Sequence, residues 1–271
     1  MYKMIFSDLD ETLLTSDHHV PKINQVAIAK AREKGVKFVP ATGRGYEMTK
    51  EILKEIGIAD QENEYVIAFN GGMIVECKDF KELLFQGLDY DVVEKIYNFG
   101  KNFDVCIEIF TPEGVYIFHA NEDEIARKTK QKANFHVIEG DDLSFLKTHR
   151  LVKIIFQKRD MAYLHDLASQ MTDITDGVVE VSYSSSRYLE FNHLGVNKGQ
   201  AAKWLADYLG IDIMDTIAIG DNENDVSMLQ VAGLSVAVKC AEPHIQALAD
   251  TVTTRDFYEG AVAEMIEKYV L

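Results

Sequence analysis

The amino-acid sequence predicts an α/β fold in which a parallel sheet covered by helices is interrupted by a second, α+β domain. Short apolar runs alternate with helical patterns in the first third of the chain and again in its last third, which is the pattern of a parallel sheet with covering helices. The middle of the chain differs, because its strand-like runs are paired through turn signals. The length of 271 residues allows one large domain or two modest ones.

The first third reads as strand, helix, strand, helix and strand, with the strands at 2–7, 36–40 and 65–69. The first helix has Pro21 near its start and Gly35 just past its end, which matches the usual preference for proline and glycine at these positions. We expect its buried stripe to include Ile23, Val26, Ala27 and Ala31.

The last third repeats this alternation. A helix is predicted at 197–209 with Asn197 as its N-cap, and the strands that follow are at 216–219, 234–238 and 251–253. In the middle, strands are expected near 83–86, 105–110, 115–118, 151–156, 179–183 and 188–192. We therefore place an inserted α+β domain with an antiparallel sheet at 81–190, within a first domain formed by 1–80 and 191–271.

Composition and charge exclude several classes of protein. A hydrophobic fraction of 47% is too high for a disordered acidic chain. The formal net charge of −16 argues against nucleic-acid and anionic-membrane partners, although a local cationic pocket can still bind a small anionic substrate. No obligate protein partner is evident.

Cysteine usage and the N-terminus favour a cytoplasmic location. Cys77, Cys106 and Cys240 are too few and too scattered for a disulfide framework or a zinc cluster, which favours a reducing compartment. The N-terminal residues lack the apolar stretch of a signal peptide, and no apolar run approaches the roughly 18 residues of a membrane span.

Polar motifs follow four of the predicted strands. These motifs are Asp8-Leu9-Asp10-Glu11-Thr12, Thr42-Gly43-Arg44, Asn70-Gly71-Gly72 and Gly220-Asp221-Asn222-Glu223-Asn224-Asp225. Because ligands of open parallel sheets bind at the carboxyl ends of the strands, the four motifs predict a single site at one edge.

The carboxylates of two motifs point to a metal. Asp8 and Asp10 are two residues apart, so on an extended strand they share a face about 6.6 Å apart. Asp221 and Asp225 come from a second strand, and two carboxylates about 4 Å apart repel by about 4 kcal/mol at an effective dielectric of 20. Oxygen ligands favour a hard cation, and Mg²⁺ is the usual one beside phosphate.

Lys198 begins the predicted helix at 197–209, beside a helix N-terminus that stabilises anions. Together with the Thr42 hydroxyl and the Gly43 amide it forms a candidate phosphate cradle. The chemistry that fits is phosphoryl transfer through an aspartyl-phosphate, in which one aspartate attacks phosphorus and a second acts as general acid and base.

The four segments DLDET (8–12), TGR (42–44), NKG (197–199) and GDNEND (220–225), in this order, resemble the haloacid dehalogenase superfamily of phosphohydrolases. The insert resembles the larger α/β cap (C2B type) of the Cof-type subfamily. The resemblance covers the whole chain and implies a Rossmann-like core with an inserted cap. One departure is Glu11, where many members have glycine.

The resemblance also implies roles for individual residues. Asp8 is expected to be the nucleophile and a metal ligand, and Asp10 the general acid and base, with its backbone carbonyl on the metal. Asp221, and Asn222 with it, are expected at the metal. The expected phosphate-binding residues are Leu9, Thr42, Gly43, Lys198 and Asn224. Arg44 and Asn70 are expected on the substrate side of the site, and Asp225 is expected to orient Lys198 or a metal-bound water.

The expected activity is a Mg²⁺-dependent phosphatase of small phosphorylated metabolites, with sugar phosphates favoured. Asp10 favours phosphoester chemistry, because members that dehalogenate lack an acid/base aspartate two residues after the nucleophile. A sugar phosphomutase and a non-catalytic binding or regulatory protein remain alternatives. We interpret the adjacent His18 and His19 as loop residues, Trp204 as core, and the basic residues Arg127, Lys128, Lys130 and Lys132 as a solvated helix face.

Overall fold

The computed structural model describes residues 1–131 and 133–271, so Lys132 of the expected basic face lies outside the described residues. The strands are β1 (Met4–Ser7), β2 (Lys37–Pro40), β3 (Tyr65–Ala68), β4 (Met73–Glu76), β5 (Lys81–Phe85), β6 (Cys106–Phe110), β7 (Val115–Phe118), β8 (Phe135–Val137), β9 (Lys153–Gln157), β10 (Val179–Ser184), β11 (Tyr188–His193), β12 (Thr216–Gly220), β13 (Leu234–Ala237) and β14 (Thr251–Val252). The helices are α1 (Lys22–Glu33), α2 (Lys50–Glu55), α3 (Tyr90–Gly100), α4 (Glu122–Lys130), α5 (Met161–Ser169), α6 (Thr172–Thr175), α7 (Lys198–Tyr208), α8 (Val226–Val231), α9 (Pro243–Leu248) and α10 (Ala261–Tyr269).

The main sheet is parallel and has the strand order β14-β13-β12-β1-β2. Strand β1 lies between β12 and β2, and all four of its residues are buried. This arrangement confirms the predicted α/β class. It also brings the carboxyl ends of β1, β2 and β12 to one edge of the sheet, where the polar motifs begin.

The third predicted strand does not extend this parallel sheet. Strand β3 pairs antiparallel with β4, and β5 completes a separate three-stranded sheet. A single parallel bridge between Ala41 and Ile67 links β3 to the end of β2. The reason is the turn after β3, in which Phe69, Asn70 and Gly71 all have positive φ and reverse the chain directly into β4. Hydrophobic periodicity does not report such a reversal.

The buried face of α1 differs from the prediction. Ala27 and Ala31 are buried as expected, but Ile23 and Val26 are 41% and 45% exposed. The buried positions also include Asn24, whose amide nitrogen donates to the Leu13 carbonyl (3.3 Å) and whose oxygen accepts from the Ala263 amide (2.9 Å). The buried face of α1 therefore includes Asn24, whose polar atoms are hydrogen-bonded, and not Ile23, which the apolar pattern predicts to be buried.

The chain divides into two compact units, 1–85 with 197–271 and 86–196. The limits expected from the sequence were 81 and 190. The segment 81–85 belongs to the first unit because β5 pairs with β4, and the segment 191–196 belongs to the second because β11 continues to His193.

The second unit contains a six-stranded sheet with the order β10-β11-β9-β6-β7-β8, antiparallel except between β7 and β8. One face packs on α3 and α5 through a large apolar cluster that includes Ile107, Ile154, Phe156 and Phe191. The opposite face is polar, because Glu108 alternates with Ile107 and Ile109 along β6. The Glu108 carboxyl lies 2.7 Å from Lys128 Nζ of α4. Lys128 is therefore buried, contrary to the expected solvated face.

No described helix combines the length and apolarity needed to cross a membrane.

Candidate active site

Adjacent strand ends bring the polar motifs of the first unit together. Asp8 directly follows β1, and its amide donates to the Ile219 carbonyl of β12 (3.0 Å). Asp221 follows β12, and Thr42 follows β2 with its amide bonded to the Ile67 carbonyl of β3 (2.9 Å). The parallel register therefore places the motifs at one edge, as expected for open α/β sheets.

Three carboxylates converge at this edge. Asp8, Asp221 and Asp225 are 7%, 6% and 0% exposed, and each offers an oxygen within 4.8 Å of the others. The Thr12 hydroxyl donates to Asp221 Oδ1 at 2.6 Å and so holds that carboxylate in place.

Lys198 neutralises part of this negative charge. Its Nζ donates to Asp8 Oδ1 (2.5 Å) and to Asp225 Oδ1 (2.6 Å), and the lysine is completely buried. The other oxygen of Asp225 accepts from the backbone amides of Asp221 and Asn222, both at 3.0 Å. Asp225 thus orients Lys198 and the loop after β12 at the same time.

Helix α7 presents Lys198 as its first residue. The Asn197 side chain accepts from the Gln200 amide (2.9 Å), which is an ordinary N-cap. The next residue, Gly199, lies so close to α8 that a Cβ there would be 2.2 Å from the Ser227 carbonyl oxygen. The absence of a side chain at 199 therefore allows α7 to approach the segment that contains Asp225.

The carboxylates outnumber the single ammonium group, and their pKa values reflect this imbalance. Burial raises the pKa of Asp8 to about 7 against the opposing charge of Lys198, and the charges of Asp225 and Asp10 add to the rise. Burial and the charges of Asp8 and Asp225 also hold the pKa of Asp221 well above its ordinary value. A buried, oxygen-only donor set with excess negative charge fits a hard metal cation.

Asp10 lies apart from the three converging carboxylates, and its side chain is 41% exposed. Arg44 donates from Nε to Asp10 Oδ2 (2.9 Å) and from Nη2 to Asp10 Oδ1. Burial acts to raise the pKa of Asp10, but the hydrogen bond with His18 and the charge of Arg44 outweigh it and hold that pKa below its usual range. Arg44, expected on the substrate side, is thus a direct partner of Asp10 in this structure.

The remaining motif residues are linked to one another beside Asp10. The Thr42 hydroxyl accepts from the Arg44 amide (3.1 Å), and the Thr42 carbonyl accepts from the Asn70 amide (2.8 Å). The Asn224 side chain donates to Asn70 Oδ1 at 3.0 Å. Gly43 lies against the same amide, because a Cβ at 43 would be 3.1 Å from Asn70 Oδ1.

Comparison with known proteins identifies the family of the chain. The family model of the haloacid dehalogenase-like hydrolases matches residues 5–266, almost the whole chain. The chain belongs to the haloacid dehalogenase-like hydrolases. Its Cof-type subfamily, with an inserted cap, is also confirmed.

Relatives of this hydrolase match it over most of their length. The HMP-PP phosphatase of Yersinia pseudotuberculosis is 27% identical over 91% of this chain and 87% of its own. The structure of a haloacid dehalogenase-like hydrolase from B. subtilis is 26% identical, with a TM-score of 0.85 over 98% of this chain and 99% of its own. A subclass IIB sugar phosphatase has the same fold at 18% identity, with a TM-score of 0.83 over 98% of each chain.

The side chains of two expected site residues of the hydrolase, Leu9 and Asn222, are engaged in the core and in a helix cap. The Leu9 side chain is fully buried in the core, so only its backbone can face the site. The Asn222 oxygen accepts from the Glu223 amide (2.9 Å) and caps its own turn.

Two residues of the site, Thr12 and His18, are not among those that the sequence predicts. Thr12 belongs to the first motif, but its bond to Asp221 joins segments 209 residues apart and has no signal in the spacing of that motif. His18, interpreted as a loop residue, has its Nδ1 3.0 Å from Arg44 Nη2. No spacing in the sequence signals that contact.

Proposed function

We propose that this hydrolase is a Mg²⁺-dependent phosphatase of small phosphorylated metabolites, with sugar phosphates favoured. The observation that carries the proposal is the buried contact of Asp8 with Lys198, beside Asp221 and Asp225, at the carboxyl end of β1. The similarity to the HMP-PP phosphatase and the shared fold with a sugar phosphatase support a small phosphorylated substrate.

Magnesium would be held by the carboxylates of Asp8 and Asp221 and the backbone carbonyl of Asp10, with Asn222 near them. When bound, it supplies positive charge that balances the carboxylates and the phosphate oxygens. The excess of negative charge over the single cation Lys198 is the reason to expect it at this place.

In the proposed reaction, an oxygen of Asp8 attacks phosphorus and the bond from phosphorus to the leaving-group oxygen breaks. Asp10 is the proposed donor of a proton to that oxygen, and this step requires the Asp10 carboxyl to leave the Arg44 contact that lowers its pKa in the structure. A water molecule then attacks the aspartyl-phosphate, Asp10 accepts its proton, and inorganic phosphate leaves with Asp8 restored. Lys198, Asn224, the Thr42 hydroxyl and the amides of Leu9 and Gly43 are the proposed phosphate contacts.

In the same proposal the unit formed by 1–85 and 197–271 is the catalytic core, and the unit formed by 86–196 is the cap. The core recognises phosphate, which many metabolites share, and the cap recognises the rest of the substrate. This division explains why the motifs indicate a reaction class without naming one substrate.

The test is a screen of sugar phosphates, nucleotides and cofactor phosphates for release of inorganic phosphate with Mg²⁺, using the wild type and Asp8→Asn in parallel. Release by the wild type alone supports the proposal. Isomerised sugar phosphate without inorganic phosphate, dependent on a bisphosphate activator, would identify a phosphomutase. No turnover of any substrate, including aryl phosphates, would indicate a binding protein.

A further inference from the structure

The turn after β3 contacts three of the segments that contain proposed phosphate-binding residues. The Asn70 amide donates to the Thr42 carbonyl (2.8 Å), and the Asn224 side chain donates to Asn70 Oδ1 (3.0 Å). Gly71 lies against the start of α7, because a Cβ at 71 would be 2.6 Å from the Asn197 carbonyl oxygen. Segments from three parts of the chain therefore meet at this turn, although the proposed reaction gives it no role.

The backbone of the turn is held in an uncommon conformation. Phe69 and Asn70 have φ of +53° and +56°, left-handed values that few residues other than glycine adopt. The Phe69 amide donates to the Arg44 carbonyl (2.9 Å), which ties the turn to the segment 42–44 a second time. Conformations of this kind persist where the surrounding structure enforces them, and they concentrate at functional sites.

The Asn70 side chain fixes the orientation of the Asn224 amide. An asparagine side chain can present either its oxygen or its nitrogen to a ligand, and only the nitrogen donates hydrogen bonds. Asn70 Oδ1 accepts one of the two hydrogens on Asn224 Nδ2, so it selects one of the two amide orientations. Asn70 is only 3% exposed, so water does not readily replace this acceptor.

We infer that Asn70 is a positioning residue for phosphate binding and acts through Asn224. This inference rests on the proposed function, because it takes Asn224 to contact the phosphate. With Asn70 in place, the second hydrogen on Asn224 Nδ2 donates to a phosphate oxygen. Without the acceptor at 70, the Asn224 side chain takes several orientations, and in some of them its oxygen faces the phosphate and repels it. Asn70 then contacts Asn224 and not the substrate.

The experiment measures the binding of inorganic phosphate to the protein in the presence of Mg²⁺. The Kd for phosphate follows from the rise in Tm with phosphate concentration. Asn70→Gly removes the acceptor and suits the positive φ, so the turn is not strained by the change. A released asparagine side chain has three χ1 rotamers and two amide orientations, about six arrangements, and we therefore expect the Kd to rise about fivefold.

The matched control is Asn63→Gly. It makes the same replacement at an exposed residue with φ of +60°, just before β3 and so at the opposite end of that strand from the turn. We expect the Kd of this variant to equal that of the wild type. An unchanged Kd in Asn70→Gly would overturn the inference.

Two further comparisons separate positioning from a structural effect. Asn70→Ala removes the same acceptor but strains the turn, so it should lower the Tm more than Asn70→Gly does and weaken phosphate binding by the same factor. In an Asn224→Ala background, Asn70→Gly should change the Kd less than about twofold, because the residue through which Asn70 acts is absent. A loss of affinity that follows the Tm, or an equal loss with and without Asn224, would contradict positioning through Asn224.

The proposed function is tested by separate arms. Turnover by the wild type that is lost in Asp8→Asn upholds the phosphatase, whatever the Asn70 variants do. Phosphate binding without turnover refutes the phosphatase and leaves the Asn70 comparisons decisive. A wild type that does not bind phosphate shows that the inference is wrong.

Discussion

Lys198 carries the charge balance of the candidate site. It is completely buried and contacts the carboxylates of Asp8 and Asp225. Without the lysine, these two buried carboxylates would lie side by side with no positive charge between them. Burial acts to lower the pKa of this lysine, but the charges of Asp225 and Asp8 outweigh it and raise that pKa above its ordinary value. The lysine therefore stays charged in the fold and has a structural task besides its proposed phosphate contact.

Replacing Lys198 with methionine tests this structural task. Removing one partner of a buried ion pair leaves an uncompensated charge, and we expect Lys198→Met to lower the free energy of unfolding by about 3 kcal/mol in metal-free buffer. Urea denaturation measures the change. Lys203→Met, at an exposed position of the same helix, is the matched control and should change stability little. Equal stabilities of the two variants would contradict a structural role for the Lys198 charge.

The converging carboxylates predict stabilisation by magnesium. A cation that binds the native state but not the unfolded state raises the free energy of unfolding by about 2.7 kcal/mol at a concentration of 100 Kd. We expect Mg²⁺ to raise the Tm of the wild type, and Asp221→Asn to reduce this shift because a ligand of the proposed site is lost. Asp207→Asn, on the exposed face of α7, should keep the full shift. Turnover that continues in excess EDTA would also refute the metal assignment.

At the scale of an element, the close packing of α7 positions Lys198. A side chain at 199 meets the backbone of α8, since a Cβ there would be 2.2 Å from the Ser227 oxygen. We expect Gly199→Ala to cost about 1–3 kcal/mol, the usual range for overpacking, and to lower turnover because Lys198 moves with the helix. Urea denaturation and kcat measure the two effects. Lys203→Ala is the control, and an unchanged unfolding midpoint for Gly199→Ala would show that α7 can shift freely.

The sequence predicts the positions of the strands better than it predicts the pairing of β3, for a physical reason. The strands β1, β2 and β12 are buried on both faces, so their apolar runs and flanking polar motifs are visible locally. The pairing of β3 depends instead on three consecutive positive φ values at 69–71. The Asn70-Gly71 pair between two apolar runs is a turn signal, but the strand and helix alternation of the first third favours a parallel strand and does not reveal the reversal into β4.

At the scale of the whole molecule, the polar face of the second unit makes stability depend on pH. Glu108 is fully buried in the sheet, with Lys128 Nζ at 2.7 Å and Glu124 beside it, and the Tyr188 hydroxyl donates to Glu124 (2.7 Å). Burial raises the pKa of Glu108 to about 8 although the charge of Lys128 opposes the rise, and Glu124 adds to it. The folded state therefore binds this proton more tightly than the unfolded state does.

A group whose folded pKa is raised gives stability that is complete below its unfolded pKa and is lost as pH rises through its folded pKa. For Glu108 the loss falls between the ordinary value of 4.5 and about 8. We expect the stability of the wild type relative to Glu108→Gln to decline across this window. Urea midpoints at a series of pH values measure the difference, and curves that stay parallel would rule out a neutral Glu108 in the fold.

The motifs and the strand pattern determine the fold class, the family and the set of residues gathered at the sheet edge. They do so because strand ends and loop motifs are local features, and parallel pairing brings such ends together without further information. The partners of individual atoms depend on the folded chain. Arg44 clasps Asp10, His18 accepts from Arg44 and Thr12 orients Asp221 because distant backbone segments meet at those points, over as many as 209 residues of sequence. Hydrogen bonds need geometry to a fraction of an ångström, and residue type and spacing do not carry that geometry.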